Sequence, residues 1–348
     1  MSRPTTIHKE SGPEQGSVHS ASSIKKSSSQ NEHQGRFRKL FSWLGFQKNY
    51  NVPLFIIFAG AMLGFSLARL EYLDIGGRFR KGSAPGEWYW YRGGIGRIGI
   101  TLHLAGVLPA GILMIWQFVP AIRRRWVTFH RINGYVVIML LLLGNVGAFM
   151  ITRHAFGGDL STQAASGFLG IYTTLGMGLA YYNIKVLQVD QHRAWMLRTM
   201  IMFGVIITTR LIDIIAAQIT TLIGSYHVIM NCGELAVMND FSYLSTNYPQ
   251  CLANSTTVEG VLNVVKAKFG ENVETTGASL RIGFGMALWL SIALHGIGAE
   301  VYLALTPREA HRLRMTSYEK QLEAGMANPG SAGLVVEKFG DAQAWIPR

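Results

Sequence analysis

Two His-Arg pairs are the residues whose types and spacing best suit chemistry. The first lies in Phe129-His130-Arg131-Ile132-Asn133-Gly134, the second in Gln191-His192-Arg193-Ala194-Trp195-Met196-Leu197-Arg198. Each stands just before a long apolar run, so His130 and His192 are expected at one depth of a membrane, at the same interface. Two neutral imidazoles placed this way can ligate a haem iron, as in a haem b, or another transition metal. The same pairs can instead meet lipid phosphates, and Arg131, Arg193 and Arg198 suit that role or an anionic substrate head group. His103 lies inside its own apolar run, roughly 8 Å deep at 1.5 Å per residue. It reads either as a further cofactor residue or as a hydrogen-bonded histidine between helices.

Ionisable side chains inside a bilayer are costly, so they face a partner or a cavity. Arg210 and Asp213 sit three residues apart in one apolar run, on one helical face, where they can neutralise each other. With Glu300 they would line a path for a substrate or ion; alone they would be a structural ion pair. His295, in Leu294-His295-Gly296-Ile297-Gly298, reads as a packing position among small residues.

The elements that must position these residues follow from composition. The chain has 348 residues, 49% hydrophobic and 15% charged, with a mean hydropathy of +0.21. A soluble domain carries about 25% charged residues. The deficit, with several apolar runs near 20 residues, predicts an all-α, polytopic membrane helix bundle whose immediate partner is the lipid bilayer. The formal net charge is +12, but the basic residues flank the apolar runs and no nucleic-acid motif accompanies them. Nucleic acid is therefore not an expected partner.

Six spans are expected, at about 53–70, 98–119, 134–151, 167–187, 199–223 and 282–304. Residues 1–48 read as a disordered polar tail, in which Phe37–Leu44 has the pattern of a short interfacial helix, residues 224–281 as a long hydrophilic loop, and 307–348 as a second polar tail. Arg123-Arg124-Arg125, Arg131, Lys185, Arg193, Arg198, Arg308, Arg312 and Arg314 fall on the side of both tails, which makes that side cytoplasmic; Arg78, Arg80, Lys81 and Arg92 dissent. The long loop holds both cysteines, Cys232 and Cys251, and the sequon Asn254-Ser255-Thr256. A disulfide and an N-glycan at Asn254 both fit a luminal or extracellular loop. The expected location is thus the endomembrane system or the plasma membrane, as a multi-pass glycoprotein.

The order of motifs resembles an uncharacterised membrane-protein family, domain of unknown function 2306. Leu102-His103 matches its early histidine, and His130-Arg131-Ile132-Asn133-Gly134 its His-Arg-x-x-Gly entry. Gly157-Gly158 with Gly167-Phe168, the block His192–Arg198, and Thr209-Arg210 follow in register. The resemblance covers about residues 98–215 and implies a membrane bundle with no settled activity.

No nucleotide-binding loop, His-Glu-x-x-His zinc motif or Gly-x-Ser-x-Gly elbow is present, which lowers the hydrolase and phosphotransfer classes. Gly93-Gly94-Ile95-Gly96 precedes a membrane span and is no dinucleotide fingerprint. Three classes stay open. One is a membrane redox or biosynthetic protein that handles a small apolar or anionic substrate, with His103, His130, His192 and Arg210 lining the site. A second is a transporter or channel-like protein using Arg210, Asp213 and Glu300. The third is a non-catalytic scaffold that recruits partners through its loop or tails.

Overall fold

The computed structural model describes residues 44–46, 50–253, 260–340 and 342–347. The expected disordered tail with its Phe37–Leu44 segment, apart from the short described stretch 44–46, and the sequon at Asn254 lie outside these residues.

Eight long helices account for most of the described residues: α1 (Asn51–Arg69), α2 (Gly94–Leu113), α3 (Val127–Ile151), α4 (Leu160–Lys185), α5 (Val189–Phe203), α6 (Val205–Ile223), α7 (Val273–Ala304) and α8 (Pro307–Glu323). Two strands, β1 (His227–Asn231) and β2 (Leu262–Lys266), pair antiparallel with Ile229 opposite Val264. The architecture is the expected all-α polytopic bundle. It has two ends: a lobe end, with the strands and the 70–93 loop, and a tail end, with α8.

Five segments are long and apolar enough to cross a membrane: Asn51–Leu73, Gly94–Phe118, Val127–Ile151, Val189–Ile223 and Val273–Ala304. The expected fourth span corresponds to α4, which has 26 residues, or roughly 39 Å of helix. Its Thr162, Thr173 and Asn183 are buried against neighbouring helices, which is why it is less apolar than the others. It starts beside Gly285 of α7 and ends under the segment that follows α8. It therefore runs the depth of the bundle with the other five.

Small residues set the packing. A Cβ on Gly106 of α2 would come 2.5 Å from the Leu140 carbonyl oxygen of α3, and one on Gly147 would strike the His103 amide nitrogen. The two helices therefore touch backbone to backbone. Asn145 of α3 donates to Thr173 (3.0 Å) and Thr174 (2.9 Å) of α4, so a polar clamp joins the next pair.

Helix ends differ from the sequence expectation in a consistent direction. α3 begins at Val127 and α5 at Val189, so His130 and His192 sit inside helices and not ahead of them. α7 begins at Val273 because its first turns pack on the lobe, where Gly277 meets Pro85 and Glu274 accepts from Tyr243 at 2.5 Å. α5 and α6 form one 35-residue rod broken at Gly204. His295 of α7 sits at the break, with Nδ1 2.7 Å from the Ile201 carbonyl oxygen and Nε2 2.8 Å from the Thr208 hydroxyl. Both ring nitrogens are used, so this histidine has a hydrogen-bonding role beyond small-residue packing.

The long loop is folded. Cys232 and Cys251 form a disulfide, and Met230, Leu235, Leu244, Val265, Ala267 and Ala278 build a small core behind it. The segment after α7 is folded as well. Gln321 of α8 donates to the Gln188 side chain (3.0 Å) and the Val186 carbonyl (2.9 Å) and accepts the Gly330 amide (2.7 Å). Gln188 and Gln321 are wholly buried, and every polar atom they carry is satisfied from across this joint.

Candidate functional site

The richest group of polar and aromatic side chains lies at the lobe end, where the α3–α4 turn dips into the bundle. Three successive residues take left-handed backbone: Phe156 (φ 49), Gly157 (φ 86) and Gly158 (φ 68). The glycines do this freely, and Phe156 does so under strain. Two contacts hold it there. Its amide donates to Glu87 at 3.0 Å, and its ring stacks on Phe284 of α7 at a centroid distance of 3.7 Å.

Arg210 of α6 lies beside this pair, with its guanidinium carbon 4.3 Å from the Phe156 centroid and 5.3 Å from that of Phe284. No hydrogen bond or ion pair to Arg210 exists among the described residues, so its donors are free. Glu87 is buried, in electrostatic range of both Arg210 and Arg281. Burial raises its carboxyl above the usual carboxylate range, against the Phe156 amide and the two arginines, which favour the anion. Tyr91, beside it, is pushed well up by burial and by the Glu87 charge.

Arg281 of α7 borders this group on the lobe side. A Cβ on Gly157 would stand 3.0 Å from its Cδ, and one on Gly86 2.6 Å from its Nη2, so the side chain threads between two glycines with positive φ. It donates to Glu234 at 2.9 Å, both side chains being about 5% exposed. Glu234 also accepts from the Trp90 indole at 2.7 Å and from the Asn231 amide. The Trp90 ring stacks on His154 at 3.8 Å. Burial and Arg153 lower the pKa of that imidazole. Glu234 thus ties the disulfide-closed lobe to the bundle.

The other expected site residues are dispersed. Asp213 is 1% exposed, and neither carboxylate oxygen has a hydrogen-bond partner among the described residues. It turns toward α7, where a Cβ on Gly283 would come 2.7 Å from Oδ1. Arg210 and Asp213 are in electrostatic range of each other, but no hydrogen-bonded ion pair joins them among the described residues. Glu300 accepts a two-point contact from Arg198, at 2.6 and 2.9 Å. Arg198 precedes Arg210 by roughly 18 Å of helix, so Glu300 stands apart from the other two.

At the tail end His130 and His192 come within electrostatic range of each other. His192 Nδ1 lies 2.9 Å from the Ala180 carbonyl oxygen, while His130 Nδ1 is buried without a hydrogen bond. Arg193 donates to the Thr306 hydroxyl at 3.2 Å, and Arg131 is exposed. His103 is elsewhere: its Nδ1 meets the Gly144 carbonyl at 2.9 Å, and Gly144 lies roughly 21 Å along α3 from His130. The three histidines do not form one constellation. Among the described residues no group of three His, Cys, Asp or Glu side chains could hold a metal ion.

Glu87, Phe156, Arg281, Phe284 and Glu234 were not singled out from the sequence. A signal existed only for some of them. Gly157-Gly158 marks the turn that positions Phe156, and Glu87 opens the aromatic stretch Glu87-Trp88-Tyr89-Trp90-Tyr91. Arg281 stands at the edge of an apolar run and reads as an ordinary flank until its partner, 47 residues earlier, is seen.

No solved structure matches the chain. A protein of Aspergillus versicolor, Ava biosynthesis cluster protein G, is 24% identical over 310 residues, which is 75% of this chain and 90% of that protein. Its name places that protein in a biosynthesis cluster. The chain is a membrane protein with several apolar helices, and its residues 100–239 match the family described as predicted membrane protein, domain of unknown function 2306.

Proposed function

We propose that this protein is a membrane-embedded biosynthetic protein that works on a small metabolite bound at the lobe end. The observation that carries this reading is Arg210: a guanidinium on an apolar helix, beside two aromatic rings, with no protein acceptor among the described residues. An intramembrane arginine left open in this way is costly unless something occupies its donors. Glu87, in range of it, has its carboxyl raised by burial, which suits a group that exchanges a proton with a bound molecule. The similarity to a biosynthesis cluster protein supports the class of role. Deleting the gene and comparing lipid-soluble extracts tests it. One precursor should accumulate, and wild type but not Arg210→Ala should clear it. An unchanged metabolite profile would sink the reading.

A second reading is kept because of His192. With Nδ1 engaged by a backbone carbonyl, its Nε2 is oriented as in a metal-ligating histidine. A haem at the tail end would then use His192 with His130. A dithionite difference spectrum of purified protein decides it: a sharp band lost in His192→Ala supports haem, and a flat spectrum removes it.

The sidedness follows the basic flanks. The lobe, with its disulfide and the Asn254 sequon, faces the lumen or exterior, and both termini face the cytoplasm. A glycosidase-sensitive mobility shift that vanishes in Asn254→Gln would support this arrangement.

A further inference from the structure

At the lobe end Arg210 has no hydrogen bond or ion pair among the described residues, although Glu87 and Asp213 lie within electrostatic range of it. Arg281 is paired with Glu234 at 2.9 Å. Arg69, also in electrostatic range of Arg210, is engaged with the Tyr72 hydroxyl at 2.8 Å. Asp213 is turned to Gly283, and Glu87 accepts the Phe156 amide. Arg210 alone keeps its donors for something else.

The guanidinium is planar and presents its N–H donors as a rigid fork. That fork matches the two oxygens of a carboxylate. The stacked rings of Phe156 and Phe284, and beyond them Val205, Leu288 and Ile292, form an apolar cluster beside it. With Glu87 and Asp213 already in electrostatic range of Arg210, a monocarboxylate adds one negative charge where a phosphate monoester would bury two.

We infer that this place takes an amphipathic monocarboxylate, its carboxylate on Arg210 and its apolar body along Phe156 and Phe284. This rests on the lobe end being the metabolite site and narrows what that metabolite is.

The test uses the full chain in lipid nanodiscs with cis-parinarate, a fluorescent polyene acid, and its methyl ester. The acid should bind saturably and the ester about tenfold or more weakly. Arg210→Gln should weaken the acid by about 10- to 100-fold and leave the ester unchanged. Arg210→Lys should fall between them, because it keeps the charge without the fork. Asp213→Asn should leave acid binding within about twofold. Equal binding of acid and ester overturns the inference, as does acid binding that survives in folded Arg210→Gln. Loss of binding in Asp213→Asn overturns it too, since Arg210 would then act only through that pair. If Arg210→Gln does not fold, the acid–ester comparison and Arg210→Lys still decide. Acid and ester binding equally, with both lost in Phe284→Ala, would refute the carboxylate while keeping this place as the metabolite site. An unaltered metabolite profile on gene deletion would instead remove the underlying reading.

Discussion

Glu234→Gln is the substitution that most directly tests how the lobe is held. Glutamine keeps the size of the side chain and an acceptor for the Trp90 indole, but it loses the charge and the second oxygen that accepts the Asn231 amide. What it leaves is Arg281, about 6% exposed, its Nε already without a partner, threaded between Gly86 and Gly157 where it has no room to reach solvent. Breaking a buried ion pair from one side costs about 3–5 kcal/mol, because the surviving charge stays buried. Replacing both partners removes that orphan charge, so Glu234→Gln combined with Arg281→Met should cost clearly less than the two single changes added together. The assay is a double-mutant cycle on thermal unfolding of the purified protein in detergent, with lobe loosening read in parallel from hydrogen exchange of β1 and the helix Cys232–Met238. A Glu234→Gln protein within about 0.5 kcal/mol of wild type, or a cycle with no coupling, would refute the claim that this pair clasps lobe to bundle.

Three further outcomes are expected. Gly106→Val should force α2 and α3 apart and destabilise the bundle by about 1–3 kcal/mol, seen as a lower melting temperature, whereas Gly178→Val, where an added Cβ meets nothing within 4 Å, should be near neutral. Gln321→Ala strips partners from Gln188, the Val186 carbonyl and the Gly330 amide. Each buried group so orphaned costs about 1–3 kcal/mol, and residues 326–347 should become susceptible to limited proteolysis without loss of the membrane bundle. Glu87, whose folded pKa is raised mainly by burial, stabilises the fold fully below the ordinary carboxylate value. That contribution is lost as pH rises through the raised folded value, since the unfolded chain ionises first. Glu87→Gln should therefore flatten the fall in stability on the alkaline side, and a pH–stability profile identical to wild type would contradict this.

The bundle was legible from the sequence because a bilayer imposes a simple demand: about 20 apolar residues per helix and charges at the flanks. Five spans, the motif order and the cysteine pair follow from local pattern alone. The fourth expected span, 167–187, runs over Leu160–Lys185 as α4, because its first turn is polar and is capped by Asp159, which blurs the hydropathy edge. His103, His130 and His192 were visible as residue types, but depth along α2, α3 and α5 decides which can meet, and depth depends on where each helix starts. The sequence spacing of Arg210 and Asp213 permits a pair; the structure shows the arginine beside Phe156 and Phe284 instead, two rings brought from a turn and from a helix more than 70 residues away. Glu87 with Phe156, and Glu234 with Arg281, are joined across 69 and 47 residues. Composition and periodicity determine which segments enter the membrane. Only the tertiary packing decides which buried charges find a partner, because a charge is neutralised by whatever lies within a few ångströms, and that is set by the fold and not by neighbours in sequence.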